Sequence, residues 1–93
     1  MPTFLIEGQW SGYRSSQQRI VHREYTTNKK LADAVSAMHA IRYTDGTCLY
    51  LTVTNKGRGK RLPEINGYGS LIRKCAHAGV NSVEALNKQE KQS

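Results

Sequence analysis

Leu31, Ala34, Val35, Met38 and Ile41 recur at the i, i+3, i+4, i+7 spacing of one helix face. Thr27 or Asn28 stands where an N-cap belongs, with a side-chain oxygen able to accept from a first-turn N–H. The stripe predicts an amphipathic helix with one buried face, which needs an apolar layer to lie on.

Strands supply that layer. Thr3–Trp10 puts Phe4, Ile6 and Trp10 on one face at period two, with Glu7 and Gln9 opposite. Arg19–Thr26 reads as a second strand, with Val21 and Tyr25 on one face and Ile20 and His22 on the other. The polar, glycine-containing run from Ser11 to Ser16 between them predicts an antiparallel hairpin. After the helix, residues 41–44 and 47–54 flank Asp45-Gly46. Asp-Gly favours a two-residue type I′ turn, because both central residues take positive φ. That register puts Ile41, Tyr43, Cys48 and Tyr50 on one face, and Leu49, Leu51 and Val53 on the other, against the helix. Arg42 then falls opposite Leu49 and has to carry its charge outward.

Ser70 reads as the N-cap of a second helix containing Leu71, Ile72, Cys75 and Ala78, and ended by Gly79. Asn81 or Ser82 opens a last short turn through Leu86. The expected fold is α+β: a small single domain over residues 1–86. It has an antiparallel four-stranded sheet in β-β-α-β-β-α order with one main helix packed on one face. Residues 87–93 carry no apolar side chain and are expected to form a frayed tail.

Charge points to the class of partner. Fourteen Lys and Arg against seven Asp and Glu give a net +7, which favours anions. One basic set, Arg14, Arg19, Arg23, Lys29 and Lys30, leads into the first helix. The other comprises Lys56, Arg58, Lys60 and Arg61 in a loop with Gly57 and Gly59, then Arg73 and Lys74. Residues 55–74 hold six Lys and Arg against one acid, Glu64. Cations near a helix N-terminus oppose its dipole at a cost of a few tenths of a kcal/mol each. They become useful when an anion binds there, because free N–H groups and cations then face the same charge.

The loop is not a Walker A motif, and Gly67-Tyr68-Gly69 is not a dinucleotide fingerprint. On the register above, Tyr43 and Tyr50 share a face that suits stacking of unpaired bases. Around the first turn, Trp10, Tyr13, Arg14, Gln17, Gln18 and Arg19 suit a two-stranded ribbon in a major groove. A basic loop before a final helix is similar in plan to double-stranded RNA-binding domains, which begin with a helix and open another with a lysine pattern that this chain lacks. The resemblance covers element order only.

Other chemistries find little support. Cys48, Cys75, His39 and His77 lack the paired-cysteine spacing of zinc sites, so the cysteines read as small core residues. Glu7 and Glu64 lie in different elements with no evident partner, and His22 and His39 with Cys75 make no recognisable nucleophile arrangement. No cofactor, metal or enzymatic activity is expected. Phe4-Leu5-Ile6 falls short of the ~7–15 apolar residues of a secretory core, and no run reaches the ~18 of a membrane span. Two cysteines without a framework suit a reducing, cytoplasmic setting.

The expected function is a small basic nucleic-acid-binding accessory protein that grips phosphates through the 55–61 loop and the helix N-termini. The alternative is a compact phage or mobile-element inhibitor docking on an acidic surface of a host nuclease or nucleoprotein complex. Monomer and dimer both remain open, since an exposed sheet edge permits strand addition.

Overall fold

A computed structural model describes residues 2–10, 20–56 and 59–92, with side chains as far as residue 89. The elements are β1 (Phe4–Trp10), β2 (Ile20–Thr26), α1 (Lys29–Met38), β3 (Ala40–Arg42), β4 (Cys48–Asn55), α2 (Gly69–Ala78) and α3 (Val83–Gln92). The strands form one sheet in the order β2-β1-β4-β3, with every pairing antiparallel.

Period two sets the faces. In β1 and β4, Ile6 pairs with Val53, Gly8 with Leu51 and Trp10 with Leu49, which makes one apolar face. Ile41 joins it by pairing with Leu49. Val35 and Met38 of α1, Ile72 and Cys75 of α2, and Leu86 of α3 close over this face as one core. Full burial of a large apolar side chain contributes about 1.5–3 kcal/mol, and Ile6, Val35, Ile41, Leu49 and Ile72 are all fully buried. Three helices therefore share the work expected of one.

Caps define the helices. Asn28 Oδ1 accepts from Leu31 N–H at 3.2 Å, opening α1. The N-cap of α2 is Tyr68 rather than Ser70, with no side-chain capping bond. Val80 N–H donates to the Cys75 carbonyl at 3.1 Å, ending α2 at Gly79 as the sequence predicts. Ser82 Oγ accepts from Ala85 N–H at 3.1 Å, and α3 then runs on through residues expected to fray. Lys, Glu and Gln are good helix formers, Lys88 pairs with Glu84 one turn away, and buried Leu86 anchors the start.

The second hairpin departs from the expected register. Its pairs are Ala40 with Tyr50, Ile41 with Leu49 and Arg42 with Cys48. Tyr43 N–H donates to Thr47 O at 2.9 Å and Gly46 N–H to Tyr43 O at 3.1 Å, so the loop holds three residues. Gly46 alone takes positive φ there, at 90°, as in a type I turn closed by a glycine bulge. Asp45 Oδ1 explains the choice, because it accepts from both Thr47 N–H (3.0 Å) and Thr47 Oγ1 (2.6 Å).

In the first hairpin, Gly8 pairs with His22 and Gln9 with Ile20. Val21 is the extra residue of a bulge and packs on the core. His22, on the same side, is fully buried.

Neither sheet edge is left bare. Arg23 and Ile65 exchange two backbone hydrogen bonds of 2.9 Å along β2. On the other side, Arg42 N–H donates to Asn81 O at 2.9 Å, next to an isolated bridge to Ser82. Each contact takes up one position of an edge that strand addition would use. No helix among the described residues is long and apolar enough to cross a membrane.

Candidate functional site

Topology gathers part of the basic set at one end of the sheet. Phe4 pairs with both Thr26 and Asn55, so β2 leaves for α1 and β4 leaves for the loop side by side. Lys56 begins that loop, its N–H bound to Thr3 O at 3.0 Å. The chain then returns along β2, held by Leu62 N–H to Tyr25 Oη at 2.8 Å and Tyr25 N–H to Glu64 Oε1 at 3.0 Å. Arg61 lies over the Tyr25 ring at 5.0 Å, a cation–π contact. Lys56, Lys60 and Arg61 are exposed.

A groove of about 630 Å³ lies between α1 and α2. Its origin is plain in the helix faces. Val35 and Ile72 draw the two helices onto the sheet, and between them the small side chains of Ala34 and Ala76 leave a channel. Leu31, Ala34 and Ala76 form its apolar lining, and Asn28, Lys30, Arg73, Lys74 and His77 supply the polar part. No acid is among the lining residues. Lys30 and Lys74, 44 positions apart in the chain, thus face one space. Lys30 sits in the first turn of α1, which holds no acid, so the dipole and the side chain act on an anion in the same sense.

Three of the expected cations are engaged elsewhere. Arg23 Nε donates to Glu7 Oε2 at 3.0 Å across the sheet, and its Nη1 donates to Pro63 O at 3.1 Å. Both partners of that ion pair are largely buried, so Arg23 holds the sheet and its covering segment together. Lys29 pairs with Asp33 at 3.0 Å on the exposed side of α1, a contact of small worth. Arg73 binds Glu24 through its guanidinium and Gly69 O at 3.3 Å. It lines the groove with its charge already matched. Arg14, Arg19 and Arg58 lie outside the described residues, as does the turn of the first hairpin.

Behind Arg73 lies a buried network that sequence reasoning missed. His22 Nδ1 accepts from Tyr68 N–H at 3.2 Å. Its Nε2 therefore carries the proton and donates to Glu24 Oε1 at 2.9 Å. Glu24 in turn receives Arg73. This chain pins the start of α2 to β2. The signal was available in the alternation of His22 and Glu24 on one face. It needs the bulge to make that face the inner one.

The proposed tyrosine platform is not formed. With the register shifted by one residue, Tyr43 follows Ile41 onto the core face, and Tyr50 stands on the opposite face, 52% exposed. Tyr43 packs on Trp10 with ring centroids 5.0 Å apart. Trp10 also meets Tyr68 edge-on at 5.5 Å and donates Nε1–H to its hydroxyl at 3.2 Å. Burial pushes the Tyr43 phenol above its ordinary value, and Tyr68, Cys75 and Asp45 add to the shift. Burial likewise pushes the Cys75 thiol up, which suits a core residue and not a nucleophile. Among the described residues no group of three or more His, Cys, Asp or Glu is placed to hold a metal.

Comparison with protein-family models, with curated proteins and with solved structures finds no match to this chain.

Proposed function

We propose that this protein is a small, non-enzymatic nucleic-acid-binding accessory protein. It grips phosphates with Lys30 and Lys74 in the α1–α2 groove and with Lys56, Lys60 and Arg61 at the neighbouring sheet end. The observation that carries this reading is the groove lining: two lysines and a histidine, none with a side-chain hydrogen bond or ion pair among the described residues, and no acid. Within a chain of net charge +7, such a lining attracts polyanions. Of the helix N-termini, that of α1 serves this role, since His22 accepts from Tyr68 N–H at the start of α2.

Binding to labelled oligonucleotides, followed by fluorescence anisotropy from low to physiological salt, tests the proposal. Each phosphate contact contributes about −0.7 to −0.9 to the slope of log K against log salt. Replacing Lys30 and Lys74 together with Ala should lower the magnitude of that slope by about 1.4–1.8 units and leave the fold intact. Absence of binding even at low salt would overturn the proposal. It would favour the second reading, an inhibitor whose basic surface docks on an acidic host protein. Exposed Tyr50 on the sheet face away from the helices suits such a protein contact.

A further inference from the structure

We infer that the α1–α2 groove receives an unpaired base together with its phosphate, so that the ligand class is single-stranded nucleic acid rather than duplex. This rests on the nucleic-acid reading above and deepens it.

The lining divides into two kinds of surface. Lys30 and Lys74 are positive, whereas Leu31, Ala34 and Ala76 offer carbon. A site for phosphate alone has no use for the apolar part. A nucleotide presents both a charge and a flat, weakly polar face. The groove, at about 630 Å³, falls within the ~300–1,000 Å³ typical of small-ligand sites.

Shape argues against a duplex. Packed helices stand ~8–10 Å apart, and the major groove of B-DNA alone is ~12 Å wide. A duplex would rest across the two helices, touch the lysines, and leave the apolar lining empty. A single strand can turn one base inward. His77 and Arg73 provide flat groups of the kind on which unpaired bases stack. The Arg73 plane is fixed beforehand by Glu24 and Gly69 O. Asn28 commits its Oδ1 to the α1 cap, which leaves its amide N–H groups to donate to a base edge.

The test compares a labelled oligo-thymidylate with a duplex of equal length at low salt, for the wild type and two variants. Ala34→Leu with Ala76→Leu fills the groove and keeps every charge. His77→Ala removes a stacking surface at an exposed position and covers the case in which the filled variant folds poorly. The wild type should bind the single strand at least tenfold more tightly than the duplex. Each variant should lose about tenfold or more on the single strand, the scale of one base–aromatic stack, with duplex binding unchanged. Equal or tighter duplex binding, or full single-strand binding by both variants, would overturn the inference while leaving a nucleic-acid binder. Failure to bind either ligand would overturn the inference and the reading beneath it.

Discussion

Tyr43 concentrates the chemistry of the upper core. Its hydroxyl is buried with no hydrogen-bond partner among the described residues, and an unsatisfied buried hydroxyl costs about 1–3 kcal/mol. Tyr43→Phe should therefore leave stability unchanged or raise it by about 1 kcal/mol, measured by urea denaturation at neutral pH. A loss larger than that would mean that the hydroxyl is satisfied. The raised phenol pKa adds a sign at high pH. Tyr43 holds its proton more tightly when folded than in the unfolded chain, where it ionises near ~10. Its contribution is full below that value and is lost as pH rises through the higher folded one. The alkaline decline of stability should accordingly be shallower in the Phe variant.

Among the elements, β2 and α2 depend on each other through His22. Replacing it with Leu removes the acceptor of Tyr68 N–H and one donor to Glu24 at a fully buried position. The expected loss is about 2 kcal/mol, which for a domain of this size lowers Tm by roughly 10 °C. A loss under about 0.5 kcal/mol would show that the network does not anchor α2. Close packing adds to the same junction. A Cβ on Gly67 would lie 2.6 Å from the Val21 carbonyl oxygen, so the loop into α2 passes β2 only as glycine. Element type was largely legible, because the 3.6 and 2.0 periods are written in Leu31–Met38, Phe4–Trp10 and Leu49–Val53, although Ile41, which continues the helical stripe in sequence, belongs to β3. The faces were less so. Whether Asp45-Gly46 makes a two- or a three-residue loop is decided by the Asp45 bond to Thr47, and a one-residue slip moves Tyr43 to the other side of the sheet. The start of α3 was legible in the Ser82 cap, but its run past Leu86 was missed for a related reason. Its outer positions are polar, and only the Ser82 cap and the Leu86 anchor distinguish it from a frayed tail.

Across the whole molecule, charge is sorted rather than spread. Arg23 and Arg73 are drawn into ion pairs with Glu7 and Glu24 that hold the layers together. Lys30 and Lys74 remain available to solvent in the groove. Sequence alone could count the cations but could not do this sorting, because each pair joins residues far apart in the chain. The groove was illegible for the same reason, since β3 and β4 separate α1 from α2 in the chain. Whether this groove holds the ligand is open to direct test. The most direct measurement is a titration of the ¹⁵N-labelled protein with a short single-stranded oligonucleotide, followed by amide chemical shifts. The predicted result is that the largest shifts fall on residues 28–34 and 73–77, with smaller ones at Lys56 and Lys60. Shifts confined to the sheet around Tyr50, with the groove unmoved, would contradict this assignment.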